Sequence, residues 1–242
     1  MKLNRIIVFF LIIIFLSLLA VNLPETGNII KQEYELEETI VIKIIDGDTI
    51  ETELGTIRML GINTPEKNKY LYQEAKDFLL FLENQTIYVL RDIEDRDKYD
   101  RLLRYVFYEN RLINLEIIEQ GLGTAYMFED ISYKDKLLRA EQQARNQKLG
   151  LWEISDNKCS KCIELIQLNP QEEFFILKNN CNFDCNISSW YVKDAGRNIF
   201  DLENLEAGSE LRINSKKSIW NNDHDSFFLR DSEEKLVIYY NY

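Results

Sequence analysis

Histidine is almost missing from this chain: of 242 residues only His224 carries an imidazole, and it lies near the far end. A base or metal ligand in the first two thirds must therefore be another residue type. That excludes histidine-based hydrolase schemes and Cys2His2 metal sites there. Positive charge is also scarce. Lys and Arg total 29 against 41 Asp and Glu, a net charge of −12, and acids outnumber bases in both halves. A basic coat or arm for nucleic acid is excluded, so phosphate binding has to come from a local cluster. No internal repeat relates the two halves. Cysteine is confined to four positions, all in the second half.

Long apolar runs are lacking except at the start. Lys2 and Arg5 precede "IIVFFLIIIFLSLLAV", residues 6–21, interrupted only by Ser17. A spanning helix needs about 20 residues, so the run is slightly short for one and long for a signal-peptide core. Residues 1–23 read as an uncleaved membrane anchor or a signal peptide, with a buried core helix as the remaining reading. Either export reading puts the rest of the chain outside the cytoplasm, membrane-anchored or secreted, because the positive end stays inside. "LPETG" (23–27) follows the apolar run rather than preceding one, and reads as linker. Residues 24–38 form an acidic tether.

What is present suits two modest domains. From Thr39 the texture is β-branched: "TIVIKII", then a hairpin "TIETELGTIRMLGI" with Leu54-Gly55 near its tip, and strands "TIYVL" (86–90) and "LLRYVFY" (102–108). Helical spacing marks 70–84, with Ala75, Phe78, Leu79 and Leu82 on one face. It recurs in 112–121, stopped by Gly121, and in 132–150, with Ser132 as N-cap and Gly150 past the end. This α+β order predicts a five-stranded OB-type barrel with helices over 39–153. Residues 154–161 read as a linker. Short strands alone follow from 162 to 242, an all-β sandwich.

The chemistry-bearing residues sit in the first domain. Asp46 and Asp48 flank Gly47 at a strand end, and hard oxygen ligands of this kind suit Ca2+ or Mg2+. Arg58 precedes "MLGINTPE" (59–66), which ends on Glu66. Arg101 closes "DRDKYDR" (95–101). Two guanidiniums, a glutamate and a divalent cation make a phosphodiesterase site: the arginines clamp phosphate and offset transition-state charge, and the glutamate takes a proton from water. Taken singly, each piece also fits an ordinary acidic turn or a solvated strand; their joint order favours the site.

Together "VIKIIDGDTIETELGTIRMLGINTPE", "DKYDRLLRYVF", "INLEIIEQGLGTAY" and "LRAEQQARNQKLGLW" resemble the staphylococcal nuclease family over about residues 40–153. The resemblance implies an OB-fold, hydrolysis of DNA and RNA, and Ca2+ as cofactor. It further implies Arg58, Glu66 and Arg101 as catalytic residues. Asp48, Asn63 and the Thr64 carbonyl would hold calcium, and Lys98, Tyr99 and Tyr126 would touch the nucleotide. Three positions depart from the family pattern: Asn63 replaces aspartate, Asp100 replaces glycine, and Phe128 replaces a tyrosine. An Asp100 carboxylate paired with Arg101 would weaken its hold on phosphate. The alternative is a catalytically inactive OB module binding nucleic acid or protein at the cell surface.

The second domain resembles the lamin-tail family over about residues 162–242, on "SSWYVKD" and "WNNDHDSFFLRDSEEKLV". That family implies an immunoglobulin-like sandwich with a binding or positioning role and an unknown ligand. Cys159, Cys162, Cys181 and Cys185 are spaced C-x2-C, 18 residues, C-x3-C. Outside the cytoplasm this set reads first as two disulfides linking the pairs, with Zn2+ and free thiols as the lesser alternatives.

Overall fold

The computed structural model describes residues 36–126, 131–196, 198–222 and 225–242. The apolar N-terminal run, Phe128 and His224 lie outside the described residues. Among those described, no helix is long and apolar enough to cross a membrane.

The β-branched stretch after the tether forms β1 (Leu36–Ile44), whose bulge between Val41 and Lys43 bends it enough to serve two partners. Its first half pairs with β5 (Thr86–Arg96) and its second with β2 (Thr49–Thr52). β2 turns at Leu54-Gly55 into β3 (Gly55–Met59), and β5 pairs with β6 (Leu102–Tyr108). β3 then meets β6 in parallel, Ile57 opposite Leu102, which closes five strands into a barrel. Its interior is filled by Val41, Ile44, Ile50, Ile57, Val89 and Val106, all at most 1% exposed.

Helices cover the barrel where the spacing predicts them. α1 (Tyr72–Leu79) buries Ala75 and Leu79 and ends in a 3-10 turn, Leu80–Leu82. A two-residue β7 (Arg111–Leu112) leads into α2 (Ile113–Glu119). α3 (Lys134–Gln147) buries Leu137, Ala140 and Ala144. Ser132 does not cap α3. The helix starts after Tyr133 without a side-chain cap, and the Ser132 amide and hydroxyl donate to Asp92 at 2.7 and 3.1 Å. Asp92 is buried and also accepts from the Tyr105 hydroxyl at 2.9 Å. A desolvated carboxylate demands its donors more strongly than a solvated helix end does. Gly121 and Gly150 both have positive φ, 68° and 53°, and lie back to back: a Cβ on Gly121 would strike the Leu149 carbonyl.

Among the described residues beyond Trp152, all regular elements but one short 3-10 turn, Lys158–Lys161, are strands. β9 (Ile163–Asn169), β10 (Phe174–Asn179) and β13 (Glu210–Asn214) make one antiparallel sheet. β12 (Ile199–Asp201), β11 (Tyr191–Lys193), β14 (Ser226–Arg230) and β15 (Leu236–Asn241) make another. Phe175 and Leu177 of the first sheet share a core with Val192, Phe227 and Leu229 of the second. Disulfides Cys159–Cys185 and Cys162–Cys181 link the two cysteine pairs, with Cα separations of 5.8 and 5.3 Å, and none of the four cysteines is free.

Barrel and β-sheet part belong to one compact unit. Residues expected to be linker are tied down: Ile154 bridges Leu236 in parallel, the Ser155 amide donates to the Leu236 carbonyl and the Leu236 amide to the Glu153 carbonyl, both at 2.8 Å. Trp152, 1% exposed, packs with Ala144, Phe228, Leu236 and Tyr239, so α3 and both sheet strands share an apolar contact.

Candidate active site

The "DGD" turn folds tightly because its middle residue is glycine. A Cβ on Gly47 would approach Ala75 Cβ to 2.7 Å and Thr64 Oγ1 to 2.8 Å. The turn therefore presses against α1 and against the 63–66 turn, and Asp48 becomes the hub between them. Its Oδ2 accepts the Thr64 amide at 2.8 Å and the Thr64 hydroxyl at 3.0 Å, while Oδ1 accepts the Thr49 hydroxyl at 3.1 Å. The Asp48 amide donates back to Asp46 Oδ1 at 3.1 Å.

Both expected arginines converge on this hub. Register places Arg58 opposite Thr49, and its guanidinium pairs with Asp48 Oδ2 at 3.2 Å, reaching the Asn63 amide oxygen at 3.4 Å. Arg101 comes from the β5–β6 loop and extends Nη1 to within 3.5 Å of the Thr49 hydroxyl. The loop is wound around Asp97, which accepts the Tyr99 and Arg101 amides at 2.9 and 3.0 Å and the Arg101 guanidinium at 2.7 and 2.6 Å. Desolvation pushes the Asp97 carboxyl up, but the Arg101 side chain and these amides outweigh it and hold the group below its ordinary range.

Here the expectation for Asp100 fails. Asp100 pairs with Arg96 at 3.3 Å, not with Arg101, and the carboxylate that holds Arg101 is Asp97. Asp100 has φ 65°, in the left-handed region that glycine adopts most readily.

Asp46, Asp48, Asn63 and Thr64 offer hard oxygens of the kind calcium takes. Burial, and then the neighbouring Asp48, push the Asp46 carboxyl above its usual range, the mark of two carboxylates lacking enough positive charge. Among the described residues no group of three or more Asp, Glu, His or Cys could hold a metal ion, so the neutral oxygens of Asn63 and Thr64 are needed to complete a set. The donor chemistry fits calcium, with less negative charge than an all-carboxylate site.

Glu66 is exposed and opens with Asn63 and Thr64 onto a cavity of about 220 Å³. Lys98 and Tyr99 stack at 5.0 Å on the exposed loop, where Tyr99 also lies 5.5 Å from the Arg101 guanidinium carbon. Tyr126 follows β8 (Thr124–Ala125), the partner of β4 (Ile62–Asn63), and its amide donates to the Gly61 carbonyl at 3.0 Å. The far wall of the cavity went unanticipated: Tyr191, Lys193, Phe228, Arg230 and Glu234 belong to the β-sheet part. In sequence they fall within "SSWYVKD" and "WNNDHDSFFLRDSEEKLV", where nothing marks them as site residues, and packing around Trp152 brings them to Glu66.

Comparison with known proteins bears on the barrel. A family model described as "Staphylococcal nuclease homologue" matches residues 56–154. A thermonuclease of Staphylococcus hyicus is 32% identical over 124 residues, covering 46% of this chain and 73% of that protein. A Haemophilus influenzae protein named "Uncharacterized endonuclease" is 32% identical over 153 residues, covering 61% and 82%. Endonuclease YncB of Bacillus subtilis is 30% identical over 139 residues, covering 52% and 66%.

Proposed function

Because this chain belongs to the staphylococcal nuclease homologue family, we propose that it is a calcium-dependent nuclease that hydrolyses phosphodiester bonds of DNA and RNA. The observation that carries this reading is the convergence of Arg58 and Arg101 on the Asp48–Thr49 hub, with Glu66 facing the adjoining cavity. A binding module needs no such pair of guanidiniums beside a glutamate. In the reaction, the substrate phosphate takes the place of the carboxylate partners on the two guanidiniums. Arg101 grips two phosphate oxygens through its planar fork, and Arg58 offsets the charge of the five-coordinate transition state. Glu66 accepts the proton of the attacking water, whose oxygen bonds to phosphorus as the bond to the leaving oxygen breaks; that oxygen takes a proton from solvent. Calcium held by Asp48, Asn63 and Thr64 would polarise the phosphoryl oxygen.

The β-sheet part reads as an immunoglobulin-like, lamin-tail-type sandwich with a binding or positioning role. Two disulfides fit an oxidising compartment, and Lys2 and Arg5 before the apolar run fit export with a tether or a cleaved leader. One observation favours the inactive-module reading: both guanidiniums are already held by carboxylates. Cleavage of single-stranded DNA and RNA by the full chain in detergent separates the two. Activity with calcium that disappears in excess chelator supports the nuclease, and undiminished cleavage without any divalent ion contradicts the calcium assignment.

A further inference from the structure

The cavity beside Glu66 has an unusual charge distribution for a protein of net charge −12. Among the described residues three cations line it, Lys69 from the turn after Glu66 and Lys193 and Arg230 from the β-sheet part. Neither lysine has an ion pair among the described residues. Each rests on an aromatic ring of the β-sheet part instead, Lys193 Nζ 5.2 Å from the Phe228 centroid and Lys69 Nζ 5.6 Å from that of Tyr191. Arg230 is 4% exposed, and its guanidinium donates to the Glu234 and Leu151 carbonyls at 2.8 and 2.9 Å. Burial, and next the charge of Arg230, bring Lys193 down to about 8. Asp194 and Asp225 offset part of the charge on Lys193 without forming an ion pair with it, so an incoming anion is still stabilised beside the clustered cations.

The wall is also fixed in place. Among the described residues Glu234 is the one carboxylate of the β-sheet part that lines the cavity, and it is spent on this fixing. Its Oε2 accepts the Tyr70 amide and the Tyr191 hydroxyl, both at 3.0 Å. The Tyr70 hydroxyl donates to Glu153 at 3.1 Å. The turn following Glu66 is therefore anchored to the second part of the molecule, which holds Lys69 and Lys193 toward one space.

We propose that Lys193 and Lys69 form a subsite for a backbone phosphate of a polynucleotide single strand, next to the phosphate being cleaved. The β-sheet part thereby supplies the second wall of the substrate cleft rather than a remote anchor. This rests on the nuclease reading for the strand's path past Glu66. Phe228 and Tyr191 give the wall π-faces, but their faces are already taken by the lysines, so the subsite reads phosphate and not base.

The test uses the full chain in detergent and a labelled single-stranded thymidine oligonucleotide. Binding is followed by anisotropy without calcium over about 50–300 mM salt, and turnover is measured with calcium. Lys193→Gln is expected to weaken binding about tenfold or more. It should lower the slope of log affinity against log salt by about 0.7 and raise KM with kcat nearly unchanged. Lys193→Arg is expected to restore the slope, which a merely structural role would not predict. Lys69→Gln, on an exposed residue, makes the same prediction should the Lys193 variant fail to fold. Unchanged affinity and slope in a folded Lys193→Gln protein that still cleaves overturns the subsite alone. A wild type that binds with a Lys193-dependent slope but never cleaves overturns the nuclease reading and keeps the subsite. A wild type that does neither overturns both.

Discussion

Arg58 and Arg101 are held in different ways, and their substitutions should differ accordingly. Arg58 is fixed by the barrel itself: it sits opposite Thr49 across β2 and β3 and pairs with a buried Asp48. Arg101 hangs on a loop whose order depends on Asp97. Arg101→Lys keeps the charge but loses the planar fork, and turnover should fall about 10²–10³-fold. Steady-state kinetics check this, and a loss below tenfold would remove Arg101 from the charge-stabilising role. Asp100→Gly, by contrast, should leave kcat within about twofold, since the Asp100 partner is Arg96. A large gain in activity would show that Asp100 restrains Arg101 after all. Asp97 contributes stability only while ionised. Its folded value lies below the unfolded one, so the contribution is full above about pH 4 and is lost as pH falls through the lower, folded value. The protection factors of the 97–101 loop amides, exchange rates taken relative to the intrinsic rate at each pH, should therefore fall on acidification from pH 5 to 3, and a flat profile counts against the assignment.

At the scale of elements, two glycine contacts position what the side chains use. Gly47 lets the DGD turn seat against Thr64 and Ala75, and Gly121 lets the end of α2 lie on the backbone after α3. Gly121→Ala meets both a positive φ and a carbonyl, so it should destabilise the protein by about 1–3 kcal/mol, read as a lowered Tm; an unchanged Tm would contradict the close backbone approach. Strands and helices were legible because their periodicity is a property of consecutive residues. The strand and helix runs of the barrel, the stopping of α2 near Gly121 and the all-strand texture beyond Trp152 follow from local pattern, whereas the parallel closure of β3 on β6 and the strand order of the two later sheets are non-local. Ser132 was misread for the complementary reason: its partner Asp92 is 40 residues away, and no local rule weighs a buried carboxylate against a helix end. Asp97 and Asp100 stand three residues apart, and only the left-handed backbone at Asp100 decides which of them faces Arg101.

The whole molecule is where sequence reading ran out. Residues 39–153 and 162–242 each declare their own pattern, but nothing in either states that Lys193 and Arg230 line the cavity beside Glu66. That follows from the packing of Trp152 between α3, β14 and β15. The nested disulfides close separations of 26 and 19 residues and should contribute on the order of 3 kcal/mol each. Intact protein should be four hydrogens lighter than its reduced form by mass spectrometry, and four free thiols with bound zinc would contradict the pairing. Lys193 is faced by Arg230 and Lys69 and by the carboxylates Asp194 and Asp225. It is charged below about 8, so the part of oligonucleotide affinity that Lys193→Gln removes should shrink as pH rises through 8 to 10; a pH-independent difference would show that its charge is not what binds. The central claim is that Glu66 activates water for phosphodiester hydrolysis, and the direct measurement is single-turnover cleavage of a labelled single strand by wild type and Glu66→Gln at matched, saturating protein. The account predicts a rate about 10²–10⁴-fold lower with binding nearly unchanged; cleavage by Glu66→Gln at the wild-type rate would contradict it.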